Sequence, residues 1–347
     1  DVLLATPLMR SVKRAWPEAA LDALVFEGTQ GVLTANPDVR RVLAIPERPG
    51  LMRHLAFALR LLRRYDLALS VVPGDRPTLY AFLAGKRRAG LLLDTHKERW
   101  KRRLLDRWTA FDDLNTHTVL MNLALADALG IERRAEVTIA WTGEDETRVE
   151  ALLGDCRSQS FALLHTYPKF NYKMWHRAGW RALAEWLDAQ GMRIVLSGGP
   201  DAAETEYVAS VRTNMLHGTV NLAGKLTLAQ TACLVSRARL FVGPDTAVTH
   251  FAAALGVPTV ALFGPSNPVK WGPWPQSYRD HANPWRRFGA QRQGNVILLQ
   301  GTNSCVPCLL EGCERHVASF SDCLQELSVT RVIAAAQELL GRGVRRT

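Results

Sequence analysis

Val242-Gly243-Pro244-Asp245-Thr246-Ala247-Val248-Thr249-His250, followed by Phe251-Ala252-Ala253-Ala254-Leu255-Gly256-Val257-Pro258-Thr259-Val260-Ala261-Leu262-Phe263-Gly264-Pro265, reads as strand, sharp turn, helix, turn and strand. Ala238 to Val242 is a short apolar run, and Gly243-Pro244 is expected to break it. Asp245 or Thr246 can cap the Ala-rich helix that follows, by accepting from a first-turn amide, and Gly256 suits its C-terminus. Pro258 opens a buried strand that stops at Gly264-Pro265. In a parallel sheet, a helix N-terminus at the carboxyl end of a strand holds phosphates, because free amides and the helix dipole favour an anion. Thr246 and Thr249 add hydroxyl donors, and His250 sits four residues after Thr246 on the same face. The plainer alternative makes Asp245 only a cap and His250 only a packed core histidine.

Working outward, the 347 residues suffice for two domains of ordinary size, and 47% apolar with 22% charged residues suits a soluble globular chain. No apolar run approaches the roughly 18 residues needed to span a bilayer. Forty-three Lys and Arg against 33 Asp and Glu give a formal charge of +10, which favours anionic partners: nucleic acid, an acidic membrane surface or phosphorylated substrates. Both halves alternate strand and helix, the pattern of an α/β protein with two doubly wound sheets. The boundary is expected within 142–158, giving domains 1–150 and 151–328, with a final amphipathic helix and basic tail over 329–347.

In the first half, 51–65 is amphipathic and basic, with Arg53, Arg60, Arg63 and Arg64. Between Lys86 and Arg107 nine basic residues face three acidic ones, with Trp100 and Trp108 interleaved. Such a patch can bind nucleic acid, hold phosphates of a lipid-linked acceptor, face an anionic membrane, or simply be solvated. In the second half, strand 160–164 ends at His165-Thr166, where ligands are met in this fold class. Ser197-Gly198-Gly199-Pro200 is a close-approach turn between a strand and a helix. No Gly-x-Gly-x-x-Gly follows a strand, so a dinucleotide cofactor is not indicated. The loop Ser266 to Trp274 can stack on a base or merely pack. Cys305-x-x-Cys308, Cys313 and Cys323 suit a tetrahedral metal, most often zinc, in a reducing compartment; disulfides and free thiols are the alternatives.

The segment Asp245-Thr246-x-x-x-His250-x-x-Ala253-Ala254-Leu255-Gly256-x-Pro258 through Pro265, with Trp271-Gly272-Pro273 behind it, resembles the donor-binding signature of glycosyltransferase family 9, which contains the lipopolysaccharide heptosyltransferases. The resemblance covers nearly the whole chain and is weakest over 45–140. It implies the GT-B architecture, two Rossmann-like domains facing across a cleft, with a C-terminal helix that crosses back to the first. It also implies an inverting, cytoplasmic, peripheral-membrane enzyme that moves heptose from ADP-heptose onto the lipopolysaccharide inner core without a divalent metal, structural zinc being allowed. Asp1-Val2-Leu3-Leu4 with Pro7-Leu8 matches the end of the family's Gly-Asp-Val-Leu-x-x-x-Pro-x-Leu. Asp1 is thereby the general base, and a preceding strand and Gly are expected before it. Lys173, in Lys-x-Trp, contacts the donor diphosphate. The expected donor site comprises His165, Thr166, Lys173, Ser197, Gly198, Gly199, Asp245, Thr246, Ala247 and His250. Three rivals stand beside this reading: a sugar-nucleotide-binding protein without transfer activity, a family-9 transferase with a different sugar or protein acceptor, and a nucleic-acid-binding protein supported by charge alone.

Overall fold

The apolar runs Phe161–His165, Leu240–Pro244 and Thr259–Phe263 are buried at every position, as strands covered on both faces must be. In the computed structural model they form the middle of a seven-stranded sheet; residues 2–48, 50–213, 215 and 218–341 are described. The spatial order runs Gln291–Gln293, Val296–Gln300, Thr259–Phe263, Leu240–Pro244, Phe161–His165, Arg193–Ser197, Val220–Asn221. All neighbours are parallel except the first pair. The chain starts at Phe161–His165, winds one way through Arg193–Ser197, then returns to build outward from Leu240–Pro244. The order therefore reverses between His165 and Pro244, and their carboxyl ends flank a switch-point crevice.

The chain divides into two units, Asp1–Thr138 with Arg279–Asn283, and Ile139–Tyr278 with Pro284–Thr347. The first unit carries two parallel sheets, Asp22–Phe26 with Arg41–Ile45, and Tyr65–Ser70, Gly85–Leu92 and Arg107–Ala110. Leu8 and Val12 of helix Thr6–Ala15 meet Met121 and Leu125 of helix Thr118–Leu129 over Ala89 and Leu91. Gly130, left-handed at φ 71°, ends the latter helix.

Helix Val329–Gly341 packs within the second unit, where Val332, Ala335, Ala336 and Leu339 share a core with Leu183 and Leu262. The stretch 142–158, where the boundary is expected, carries helix Gly143–Leu153, capped by a reciprocal Thr142–Asp145 box and buried through Val149 and Leu153. Strand Leu240–Pro244 also runs through Gly243-Pro244 instead of stopping at Val242, because Gly243 lets the chain pass the Phe241 ring; a Cβ there would lie 2.7 Å from it. Asp1 and the basic tail 342–347 lie outside the described residues.

Candidate functional site

Two loops leave the switch point. Residues 166–176 follow His165, and Asp245-Thr246 joins Pro244 to helix Ala247–Ala254. The first loop is held from beneath. Trp175 is 1% exposed, crosses Trp180 edge-on at 4.9 Å, and donates its indole N–H to Leu327 O at 2.7 Å. Ser321 Oγ donates to Tyr172 O and Gln325 Nε2 to Met174 O, both at 2.8 Å. These bonds grip the backbone on either side of Lys173, so the ammonium's reach is set by the protein rather than by a free loop.

Lys173 Nζ lies 2.6 Å from Asp245 Oδ2, with Asp245 8% exposed. Burial is the strongest influence on this carboxyl and opposes its charge, yet the Lys173 ammonium and a hydrogen bond from Ser266 hold its pKa below the usual carboxylate range. His250 Nε2 stands 3.9 Å from Asp245 Oδ1. Burial drives the His250 pKa down to about 4 despite that carboxylate, so the ring is neutral at pH 7. Its Nδ1 is buried without a partner.

Thr246 occupies the N-cap position in an extended conformation, and no side chain caps the first amides of helix Ala247–Ala254. Thr246 is half-buried and Ala247 exposed, so this turn is open to solvent. Asp245, expected as a cap, is instead committed to Lys173. Thr249, expected as a free donor, gives its hydroxyl to Pro244 O at 2.5 Å and leaves Thr246 as the hydroxyl nearer the open turn. The site thus offers uncapped amides, one hydroxyl and a partly neutralised ammonium, a set suited to a diphosphate.

The neighbouring strand ends add a second group. His165 and Ser197 pair in register, with Nδ1 and Oγ 3.1 Å apart, and burial lowers the His165 pKa to about 4. Thr166 Oγ1 is buried without a partner. Gly198 and Gly199 come against Glu204, the glutamate of the next helix's first turn; a Cβ on Gly199 would lie 2.8 Å from its Oε2. Burial raises the Glu204 pKa, opposed by the Gly199 amide. Sequence reading missed Glu204. Its signal was an acid three residues into the helix that follows Gly-Gly-Pro-Asp, where a carboxylate meets the helix dipole.

Other expected features take plainer roles. Trp274 and Trp285 are buried, and Trp285 closes over Gly272, so the aromatic loop is packing. Within the basic stretch, Lys101 is 1% exposed and paired with Asp75 at 2.5 Å and Glu98 at 2.6 Å, while Arg102 pairs with Asp94 and lies over Trp108. Cys305 and Cys313 are exposed, Cys308 half-buried and Cys323 buried. Burial and then the three neighbouring thiols push Cys323 up to about 12. The four thiols are thus neighbours, although among the described residues no three His, Cys, Asp or Glu side chains stand close enough together to hold a metal ion.

A sequence model of glycosyltransferase family 9 (heptosyltransferase) matches residues 55–294. Lipopolysaccharide heptosyltransferase 3 of Escherichia coli is 27% identical over 288 residues, covering 79% of this chain and 83% of that protein. The family 9 glycosyltransferase of Veillonella parvula superposes with a TM-score of 0.81 at 21% identity, covering 98% of this chain and 94% of that one. E. coli ADP-heptose LPS heptosyltransferase II superposes at 0.76 and 19% identity, covering 99% and 96%. The fold is thereby GT-B, and the chain belongs to glycosyltransferase family 9 and is a glycosyltransferase.

Proposed function

We propose that the chain transfers heptose, with inversion, from ADP-heptose to the inner core of lipopolysaccharide. The observation that carries this reading is the Lys173–Asp245 pair beside the uncapped, exposed turn at Thr246. The ADP-heptose named for the solved E. coli relative supplies the donor class. In this reading the diphosphate takes the amides that start helix Ala247–Ala254, the Thr246 hydroxyl and the Lys173 ammonium. Lys173 has three donors and can keep Asp245 while gaining a phosphate oxygen. Glu204, in the first turn of the helix that follows strand Arg193–Ser197, accepts hydrogen bonds from hydroxyls of the ribose.

Chemically, an acceptor hydroxyl attacks the anomeric carbon, the bond to the β-phosphate oxygen breaks, and ADP leaves with the new negative charge. Lys173 and the helix amides are placed to stabilise that charge as it forms, which is the task a divalent metal performs in other transferases. Asp1 is the proposed base for the hydroxyl proton. The acceptor is read as lipid-linked and the enzyme as working at the anionic cytoplasmic face of a membrane; no described helix is long and apolar enough to cross one.

The test has two arms. Isothermal titration with ADP should lose affinity in Lys173→Ala and Thr246→Ala; unchanged binding in both rejects the site. Heptosylated core, detected by mass spectrometry from ADP-heptose plus truncated core, separates transfer from mere nucleotide-sugar binding. Asp1→Asn should abolish that product while ADP still binds.

A further inference from the structure

Helix Leu51–Leu61 in the first unit has two faces with opposite fates. Phe57, Ala58 and Leu61 pack with Ile45, Tyr80 and Ala84, and His54 Nδ1 lies 2.7 Å from the Tyr80 hydroxyl. On the outer side Met52 is 77% exposed, Leu55 54% and Leu59 64%. At 3.6 residues per turn these three fall within about 60° of arc, a continuous apolar stripe rather than scattered surface residues. Leu62, just beyond the helix, is 51% exposed.

Between Glu47 and Asp66, which bound the segment, the charges around the stripe have one sign. Arg53 and Arg60 line one edge of it, and Arg48, Arg63 and Arg64 lie beyond its ends, all exposed. Residues 48–65 contain no Asp or Glu, and none of these arginines has a carboxylate partner among the described residues. An apolar stripe with a guanidinium rim is the pattern of a helix lying in a membrane interface, where Leu and Met enter the acyl boundary and Arg reaches lipid phosphates. A second copy of the chain fits worse. A two-fold contact would set the arginine rim against itself, and like charges oppose that pairing. Nucleic acid would use the arginines but not the leucines.

We infer that helix Leu51–Leu61 is the element by which this protein docks on an anionic lipid bilayer, through Met52, Leu55 and Leu59 with Arg53 and Arg60 at the headgroups. The inference deepens the reading of a lipid-linked acceptor. Its test uses neither donor nor acceptor, so failure here leaves the transfer assay standing, and failed transfer leaves docking standing.

The full chain is sedimented with vesicles of phosphatidylglycerol and phosphatidylcholine in equal parts, and with phosphatidylcholine alone. Partitioning should favour the anionic vesicles and fall with salt. Leu55→Gln with Leu59→Gln should lower it by at least about tenfold, since each Leu removes several buried methylene equivalents. Arg53→Gln with Arg60→Gln should weaken binding to anionic vesicles and remove its salt dependence in part. All four side chains are exposed, so melting temperatures should not move, which separates lost docking from lost folding. Unchanged partitioning in the Leu55/Leu59 variant overturns the inference, as does failure of the parent to bind anionic vesicles. A dimer seen by light scattering without lipid, and dissolved by the same substitutions, also overturns it by assigning the stripe to a second copy.

Discussion

Replacing Lys173 with Met removes one charge at nearly constant volume and leaves the Asp245 carboxylate buried beside a helix N-terminus. Removing one partner of a buried ion pair costs about 3–5 kcal/mol. Lys173 keeps 22% of its side chain in water, which places this pair at the low end, near about 3 kcal/mol. The pH dependence is the sharper signature. In the parent the Asp245 pKa lies below 3.8, so the stability it contributes is present above 3.8 and is lost as pH falls through the folded value. In Lys173→Met, burial, the largest influence on that carboxyl, acts without its main counterweight. The folded pKa then rises above 3.8, and the contribution is present at low pH and lost as pH rises.

The difference in unfolding free energy between parent and variant should therefore be small near about pH 3 and reach its full size by about pH 7. Urea unfolding followed by tryptophan fluorescence reads it, because Trp175 and Trp180 are buried next to the Lys173 loop. The same variant should bind ADP about 10- to 150-fold more weakly, the value of one charge-assisted hydrogen bond. A difference that is flat across pH would refute the claim that Asp245 is a buried carboxylate held ionised by Lys173. Loss of stability with unchanged ADP affinity would instead leave the pair structural and take Lys173 out of the donor site.

Other outcomes follow from individual residues. Gly243→Ala should cost about 1–3 kcal/mol in urea unfolding, because the new Cβ would lie 2.7 Å from the Phe241 ring, which is fully buried and cannot swing away. Glu204→Gln should narrow the preference for ADP over 2′-deoxy-ADP in titration calorimetry; an unchanged ratio removes Glu204 from the ribose. In imidazole NMR, His165 and His250 should remain neutral down to about pH 4. Their folded values lie below 6.5, so each withdraws stability as pH falls from 6.5 toward 4; a midpoint near 6.5 for either ring would contradict its burial. Iodoacetamide should label Cys305 and Cys313 readily in the folded chain and Cys323 only after unfolding, since that thiol is 5% exposed with a pKa near 12.

The second unit was legible because its strands are continuous apolar runs bounded by Gly and Pro, and the placement of ligands at strand ends follows from topology alone. What sequence reading could not supply is who partners whom. Asp245 has two local uses, as a cap or as a paired acid, and only a lysine 72 positions earlier decides between them. Thr249 looks free until strand Leu240–Pro244 continues two residues further and brings Pro244 O into reach. The cysteine segment suggested metal by its spacing. In the fold it contributes Ser321, Gln325 and Leu327 O, which grip Tyr172, Met174 and Trp175 around Lys173. Such long-range hydrogen bonds leave no periodicity. Yet they explain why a mobile point charge can serve here as a fixed one: the backbone on both sides of Lys173 is bonded to the segment after Cys313, so the ammonium is aimed before any diphosphate arrives. In the proposed transfer, preorganisation of this kind is what a lysine and a few amides would need to stabilise a developing leaving-group charge without reorganising at the moment of reaction.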